Sequence, residues 1–330
     1  FASSMSNINF FFPKRMQGYA LGMNAGLGNF GVTTMQIVVP LVMTASIFGA
    51  LGGDSMTLQA TSGTLIGKIP AGSETWIQNS GFIWLVTLIP LTILAWWGMN
   101  NISTAEVTPN QPGAFASFGI MSGMLFIGFI TAIIGLWLLL PEQANGSGFG
   151  IPKEIVLLLV ITSTVYLLKM IPGQIRGNLQ RQYKIFGNRH TWVMSVIYTM
   201  TFGSFIGFSA AFPLAIKVIF GYSHIVGADG VMTHDTVNAG GPSALMYAWM
   251  GAFIGALIRP VGGWISDKVG GALVTQIITV VMVFSALGVA YFMKAAYASA
   301  TPEEYFVPFF LLFLVLFAAT GIGNGSTFRT

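Results

Sequence analysis

The stretch FASFGIMSGMLFIGFITAIIGLWLLL, residues 115–140, runs for 26 residues without a charge. At 1.5 Å of rise per residue a helix of that length is about 39 Å long, more than the roughly 30 Å hydrocarbon core of a bilayer. In lipid the backbone donors and acceptors of such a run can be satisfied only within a helix or a closed barrel. Its length and lack of polar alternation select the helix, so the run predicts a membrane span.

Comparable apolar runs lie at about 17–50, 79–99, 154–171, 191–220, 243–265, 272–296 and 305–328, and the tail of another occupies 1–12. With 114–140 they make nine segments, the first partial. Pro40 and Pro213 are expected to end or kink the two longest. Composition agrees: 54% hydrophobic and 7% charged residues with a mean hydropathy of +0.75 exclude a soluble domain and identify an all-α integral membrane protein. The chain has no cysteine, which excludes a disulfide frame and a thiolate metal site. It starts FASSMSNINF and ends GIGNGSTFRT, and both ends read as the cut edges of a longer chain.

The charges supply a topology. Alternating spans put Lys14, Arg15, Arg176, Arg181, Lys184, Arg189 and Lys268 on one side, against only Glu106 and Asp267. The other side holds Asp54, Glu74, Glu142, Glu154, Asp229, Asp235, Glu303 and Glu304, with Lys68, Lys153 and Lys294. The positive-inside rule makes the first side cytoplasmic.

Three constellations carry chemistry. In GYALGMNAGLGNFGVTTMQ, residues 18–36, Gly18, Gly22, Ala25, Gly26, Asn29, Thr33 and Gln36 fall on one helical stripe. Small residues at four-residue spacing admit a neighbouring helix, but packing alone does not explain the amides, and Asn29 is expected to face a solute route. In GAFIGALIRPVGGWISDKVGG, residues 251–271, Gly251, Gly255, Arg259 and Gly262 share a face. Arg259 either snorkels to the interface or serves an anion through its planar fork of donors. In YTMTFGSFIGFSAAFP, residues 198–213, Tyr198, Phe202, Phe205, Ser209 and Phe212 line one face, either as packing or as the wall of a narrow pathway for a flat solute.

No Asp or Glu lies inside a segment, so a proton relay within this part of the membrane lacks the usual groups. His190, His224 and His234 all fall in loops. His224, Asp229, His234 and Asp235 share an outer loop whose spacing matches no metal signature, and a solvated loop is expected rather than a metal site. Phosphate-loop and paired-carboxylate patterns are missing, so neither catalysis, a cofactor nor a nucleic-acid partner is expected.

GGWISDKVGG is similar to the short loop motif of the major facilitator superfamily, and GMNAGLGNFGVTTMQ resembles the glycine-rich fifth-helix signature of its nitrate/nitrite porters, the NarK-type family. FASSMSNINFFFPK, TFGSFIGFSAAF and GIGNGSTFR resemble that family's fourth, seventh and tenth helices, and the resemblance covers residues 1–100 and 190–330. It implies the major facilitator fold from the fourth to about the tenth core helix. Residues 1–99 would end the N-terminal half, 100–190 form a central insert with two extra helices, and 191–330 begin the C-terminal half. The resemblance further implies that Arg259, Asn29 and Tyr198 bind the anion and that Phe1 and Phe202 sandwich it. Gly22, Gly26, Gly28, Gly255 and Gly262 become sliding surfaces for alternating access, with Asp267 in the gating loop. The implied substrates are nitrate and nitrite, the setting a bacterial inner membrane with lipid as the surrounding partner, and the state monomeric. Nitrate/nitrite exchange is the first mode expected, with proton symport, another small anion, or an anion sensor without transport as alternatives. The inserted pair lacks membrane-embedded charge and is expected at the periphery.

Overall fold

The computed structural model describes residues 2–64, 67–99, 113–141, 148–171 and 174–329. It divides into two compact units, residues 1–96 with 193–330 and residues 97–192. Phe1 lies outside the described residues.

In the first unit the chain runs through α1 (Ala2–Phe11) and a 3₁₀ turn (Lys14–Met16) into α2 (Gln17–Val42), which passes Pro40 and stops two residues later. The apolar run to residue 50 is therefore not one helix: a 3₁₀ turn forms at Gly49–Gly52. Two small hairpins follow, β1 (Met56–Thr57) with β4 (Glu74–Thr75) and β2 (Ser62–Thr64) with β3 (Gly67–Ile69), both antiparallel. Then comes α3 (Asn79–Gly98). Asn79 is fully buried and its Nδ2 donates to the carbonyls of Val42 and Ala45, tying the start of α3 to the end of α2.

The second unit is built on α4 (Ala114–Leu139) and α5 (Lys153–Met170). Gly135 lets Val156 and Val160 of α5 approach, and the Thr131 and Thr164 hydroxyls bond across the pair at 2.7 Å. Short α6 (Gln174–Tyr183) carries the basic residues Arg176 and Arg181, and a 3₁₀ turn (Lys184–Gly187) follows it.

The chain re-enters the first unit along α7 (Arg189–Tyr198), a π-helical turn (Thr199–Gly203), α8 (Ser204–Ala215) and a second π turn (Ile216–Phe220). Pro213 sits inside α8 without ending it. The outer loop read as solvated is instead an antiparallel hairpin, β5 (Tyr222–Val226) with β6 (Met232–Val237). His224 is buried there with both ring nitrogens against carbonyls, Nδ1 2.7 Å from Ser299 and Nε2 2.8 Å from Ile219. His190, also placed in a loop from sequence, lies in the first turn of α7.

Last come α9 (Ala244–Leu257), α10 (Arg259–Val269), α11 (Gly271–Tyr297) and α12 (Phe306–Thr327). The break at Ile258 follows from Pro260, which cannot donate to the carbonyl of Ala256. Gly270, at φ +92°, makes the turn from α10 to α11 in a region L side chains rarely enter. Among the described residues seven helical stretches are long and apolar enough to cross a membrane. Of the nine sequence segments the exceptions are α1, with 10 residues, and α5, whose 18 residues include Lys153, Glu154 and Lys169.

Between lipid-embedded helices there is little hydrophobic driving force, so contact must come from dispersion and close approach. The core of the first unit uses both. Phe212 packs against Phe309, Phe310, Phe313 and Phe317, with centroid distances of 4.6–6.0 Å. Glycines do the rest: the Phe317 ring lies where a Cβ on Gly251 would stand, and the Ile322 backbone lies where one on Gly262 would stand.

Candidate functional site

The site is assembled where α2, the α9–α10 break, the first π turn and α12 meet. Arg259 is the first residue of α10 and is completely buried. Its backbone is clamped from two sides. A Cβ on Gly22 of α2 would stand 2.9 Å from the Arg259 carbonyl oxygen, and one on Gly325 of α12 would overlap it. One turn on, Gly26 faces the Ala256 carbonyl that Pro260 leaves free, at 2.6 Å from where its Cβ would stand. Gly18, Gly22, Ala25, Gly26 and Thr33 of the sequence-read stripe are buried as expected. Gly28 is exposed and takes no part in this packing.

The guanidinium is held by one hydrogen bond and two rings. Nη1 donates to the Ala25 carbonyl at 3.2 Å, and Cζ lies 4.3 Å from the Phe205 centroid and 5.4 Å from that of Phe202. Nε and Nη2, which form one side-on edge of the fork, are buried and have no partner. Among the described residues no carboxylate lies within ion-pair distance. A buried cation without a counter-ion is several kcal/mol less favourable than a paired one, and an anion on the open edge removes that deficit.

The Ala25 carbonyl also accepts from Asn29 Nδ2 at 2.7 Å, so Asn29 and Arg259 meet on one oxygen. Asn29 is half-buried, whereas Gln36, further along the stripe, donates to the Ser209 carbonyl at 3.3 Å. Asn24, on another face, turns to Ser4 and Met5 of α1. Tyr198 stacks obliquely on Phe202 at 5.2 Å just before the π turn. A π turn widens a helix locally and recurs at functional positions. The aromatic stripe thus divides: Tyr198 and Phe202 are half-buried beside the arginine, while Phe212 belongs to the core. Phe205 does both, touching the guanidinium on one side and Phe317 edge-on at 5.9 Å on the other. Gly255 supplies room for the Phe205 ring, which lies 2.7 Å from where its Cβ would be.

At the start of α2, Asp267 acts as a cap for a helix other than its own. Oδ1 accepts from Gly18 N at 3.1 Å and Oδ2 from Tyr19 N at 2.8 Å, so the first free amides of α2 are satisfied from α10. Arg329 adds an ion pair at 3.0 Å.

Sequence reasoning brought together Arg259, Asn29, Tyr198 and Phe202. It missed Phe205 as the nearer ring to Arg259, and it missed Asn324 of α12, fully buried with neither amide atom bonded. The signal for Asn324 was available: it is an amide between glycines in an otherwise apolar span.

No protein-family model matches the chain. Among curated proteins it is 31% identical over 329 residues to the probable nitrate/nitrite antiporter NarK2 of Thermus thermophilus, covering 100% of this chain and 52% of that protein. It is 33% identical over 330 residues to the nitrate/nitrite transporter NarU of Escherichia coli (strain K12), covering 100% and 48%. The probable nitrate/nitrite transporter NarK2 of Mycobacterium tuberculosis matches at 32% over 138 residues, 42% of this chain and 28% of that protein. The chain spans about half the length of the first two relatives.

Proposed function

Because the chain belongs to the NarK-type nitrate/nitrite porters of the major facilitator superfamily, as a multi-pass protein of the bacterial inner membrane, we infer that the full-length protein carries nitrate and nitrite by alternating access, one in exchange for the other. The observation that carries this reading is the open Nε–Nη2 edge of Arg259, buried beside Phe202 and Phe205 with no carboxylate paired to it among the described residues. Two coplanar donors suit two oxygens of a small flat oxyanion, and neighbouring aromatic rings suit its faces. Asn29, tied to the same Ala25 carbonyl, adds a neutral donor at the rim. Tyr198 and Phe202 wall the site, and the glycine contacts of α2 with α10 form a seam that can part and close without side chains interlocking. Exchange is favoured over proton symport because the contacts of the Arg259 guanidinium among the described residues are the Ala25 carbonyl and the Phe202 and Phe205 rings, with no carboxylate paired to it.

The test is nitrate uptake by the full-length protein in proteoliposomes, with nitrite inside and no pH gradient, against a proton gradient with no internal nitrite. Uptake in the first condition alone is expected. Uptake driven by the proton gradient alone overturns exchange, and no uptake of either anion from folded protein overturns the substrate assignment.

A further inference from the structure

The buried residues of α12 include three polar ones besides Asn324 that are satisfied locally: Thr320 donates to the Phe317 carbonyl, Ser326 to that of Gly323 and Thr327 to that of Asn324, and Ser326 also meets Thr275. Asn324 differs. It is 0% exposed, and both Nδ2 and Oδ1 are without partners. A primary amide left so in an apolar span is costly, and lacks the local carbonyl bond a hydroxyl finds in its own helix.

Its direction follows from its neighbours. Gly323 abuts Thr201, which lies in the π turn between Tyr198 and Phe202, with 2.9 Å from a Cβ position to Thr201 Cγ2. Gly325 abuts the carbonyl of Arg259. Successive residues of a helix point about 100° apart, so Asn324 projects between these two contacts. Phe317 and Phe328, seven residues before and four after, fall within about 20° and 40° of the same direction. Phe317 touches Phe205, and Phe328 touches Tyr198 at 6.4 Å. The amide is therefore aimed at the region bounded by Arg259, Phe205, Phe202 and Tyr198.

Resting on the anion reading above, we propose that Asn324 donates to the third oxygen of nitrate and so sets the preference for nitrate over nitrite. The open edge of Arg259 engages two oxygens, which is all that nitrite has. Nitrate carries a third, directed away from the arginine in the same plane, and it needs a separate donor. An amide NH₂ supplies one without adding charge, and its oxygen end can accept the second N–H of Arg259 Nη2. A site built to hydrogen-bond a group discriminates strongly against an analogue lacking it, because the donor is then left buried and unpaired.

The experiment measures KM for nitrate and for nitrite in proteoliposomes of the full-length transporter carrying Asn324→Leu, similar in size and without donors. The ratio of nitrate KM to nitrite KM is expected to rise about tenfold or more. A ratio within about twofold of wild type, or equal losses for both anions, overturns the proposal. Asn324→Asp has the shape of the native residue and guards against misfolding of the first variant. Its carboxylate beside Arg259 is expected to cut uptake of both anions more than tenfold, and wild-type uptake by this variant likewise overturns the proposal. Failure of the wild-type protein to move either anion would instead overturn the anion reading on which the proposal rests.

Discussion

Replacing Asp267 by Asn tests whether the α2–α10 contact is a switchable seam. The carboxylate makes three contacts: Gly18 N at 3.1 Å, Tyr19 N at 2.8 Å and Arg329 Nε at 3.0 Å, and its side chain is 7% exposed. An amide keeps the shape but turns one oxygen into a donor. If its oxygen retains Tyr19, the NH₂ group faces the Gly18 amide and the guanidinium, both donors. The lost charge-assisted bond to Gly18 contributes about 1.5–2 kcal/mol. The loss of a negative charge at a helix start adds about 0.5–1 kcal/mol. The ion pair adds only about 0.5 kcal/mol, since Arg329 is 34% exposed and its charge is screened. The total, about 3 kcal/mol, corresponds to a factor on the order of 100 in the balance between the closed seam and a parted one. The assay uses a cysteine at Ala256, completely buried where α9 passes Gly26, in a chain with no cysteine of its own over these residues. Asp267→Asn should raise its rate of modification by a small polar thiol reagent from the cytoplasmic side by one to two decades. A change below about threefold in folded protein would refute the idea that this cap holds the seam.

Other substitutions address the site and the packing. Arg259→Lys should abolish uptake, since an ammonium cannot present the side-on Nε–Nη2 edge; substantial uptake at normal expression would exclude Arg259 as the anion ligand. Phe205→Leu removes the ring nearest the guanidinium and should weaken nitrate binding by about 3- to 30-fold, read as a change in KM, in keeping with about 0.5–2 kcal/mol for the cation–π contact. Gly325→Ala would drive a methyl group into the Arg259 carbonyl and should lower transport sharply at near-normal expression, a loss that uptake assays and membrane quantification separate. Thr131→Val deletes the hydroxyl contact to Thr164 and should lower the thermal stability of the purified protein by only about 0.6–1 kcal/mol.

Membrane spans are legible because length and apolarity are enforced residue by residue, and the stripe periodicity placed Gly18, Gly22, Gly26 and Asn29 correctly relative to one another. What sequence does not carry is which helix faces which stripe. That Gly22 and Gly325 close on one carbonyl, or that Asp267 caps α2, depends on pairs 66 to 249 residues apart in which at least one partner contributes only backbone atoms common to every residue. The rank of Phe205 over Phe202 depends on a π turn that shifts the stripe by part of a turn, and nothing in the residue types of Thr199–Gly203 announces it. The outer hairpin was missed because β5 and β6 are short and polar, and their order comes from His224 reaching two carbonyls of other segments.

The unneutralised guanidinium of Arg259 also has an electrical consequence. Among the described residues no carboxylate pairs with it, so this arginine contributes one uncompensated positive charge to the site, which a monovalent anion offsets. Swapping one such anion for another moves no net charge across the bilayer, whereas any carrier that translocates one net charge gains or loses about 2.3 kcal/mol per 100 mV. A one-for-one exchanger built on this arginine should therefore turn over at a driving force set by the two anion gradients alone, and imposing a potassium-diffusion potential on the vesicles should leave its equilibrium distribution where it was.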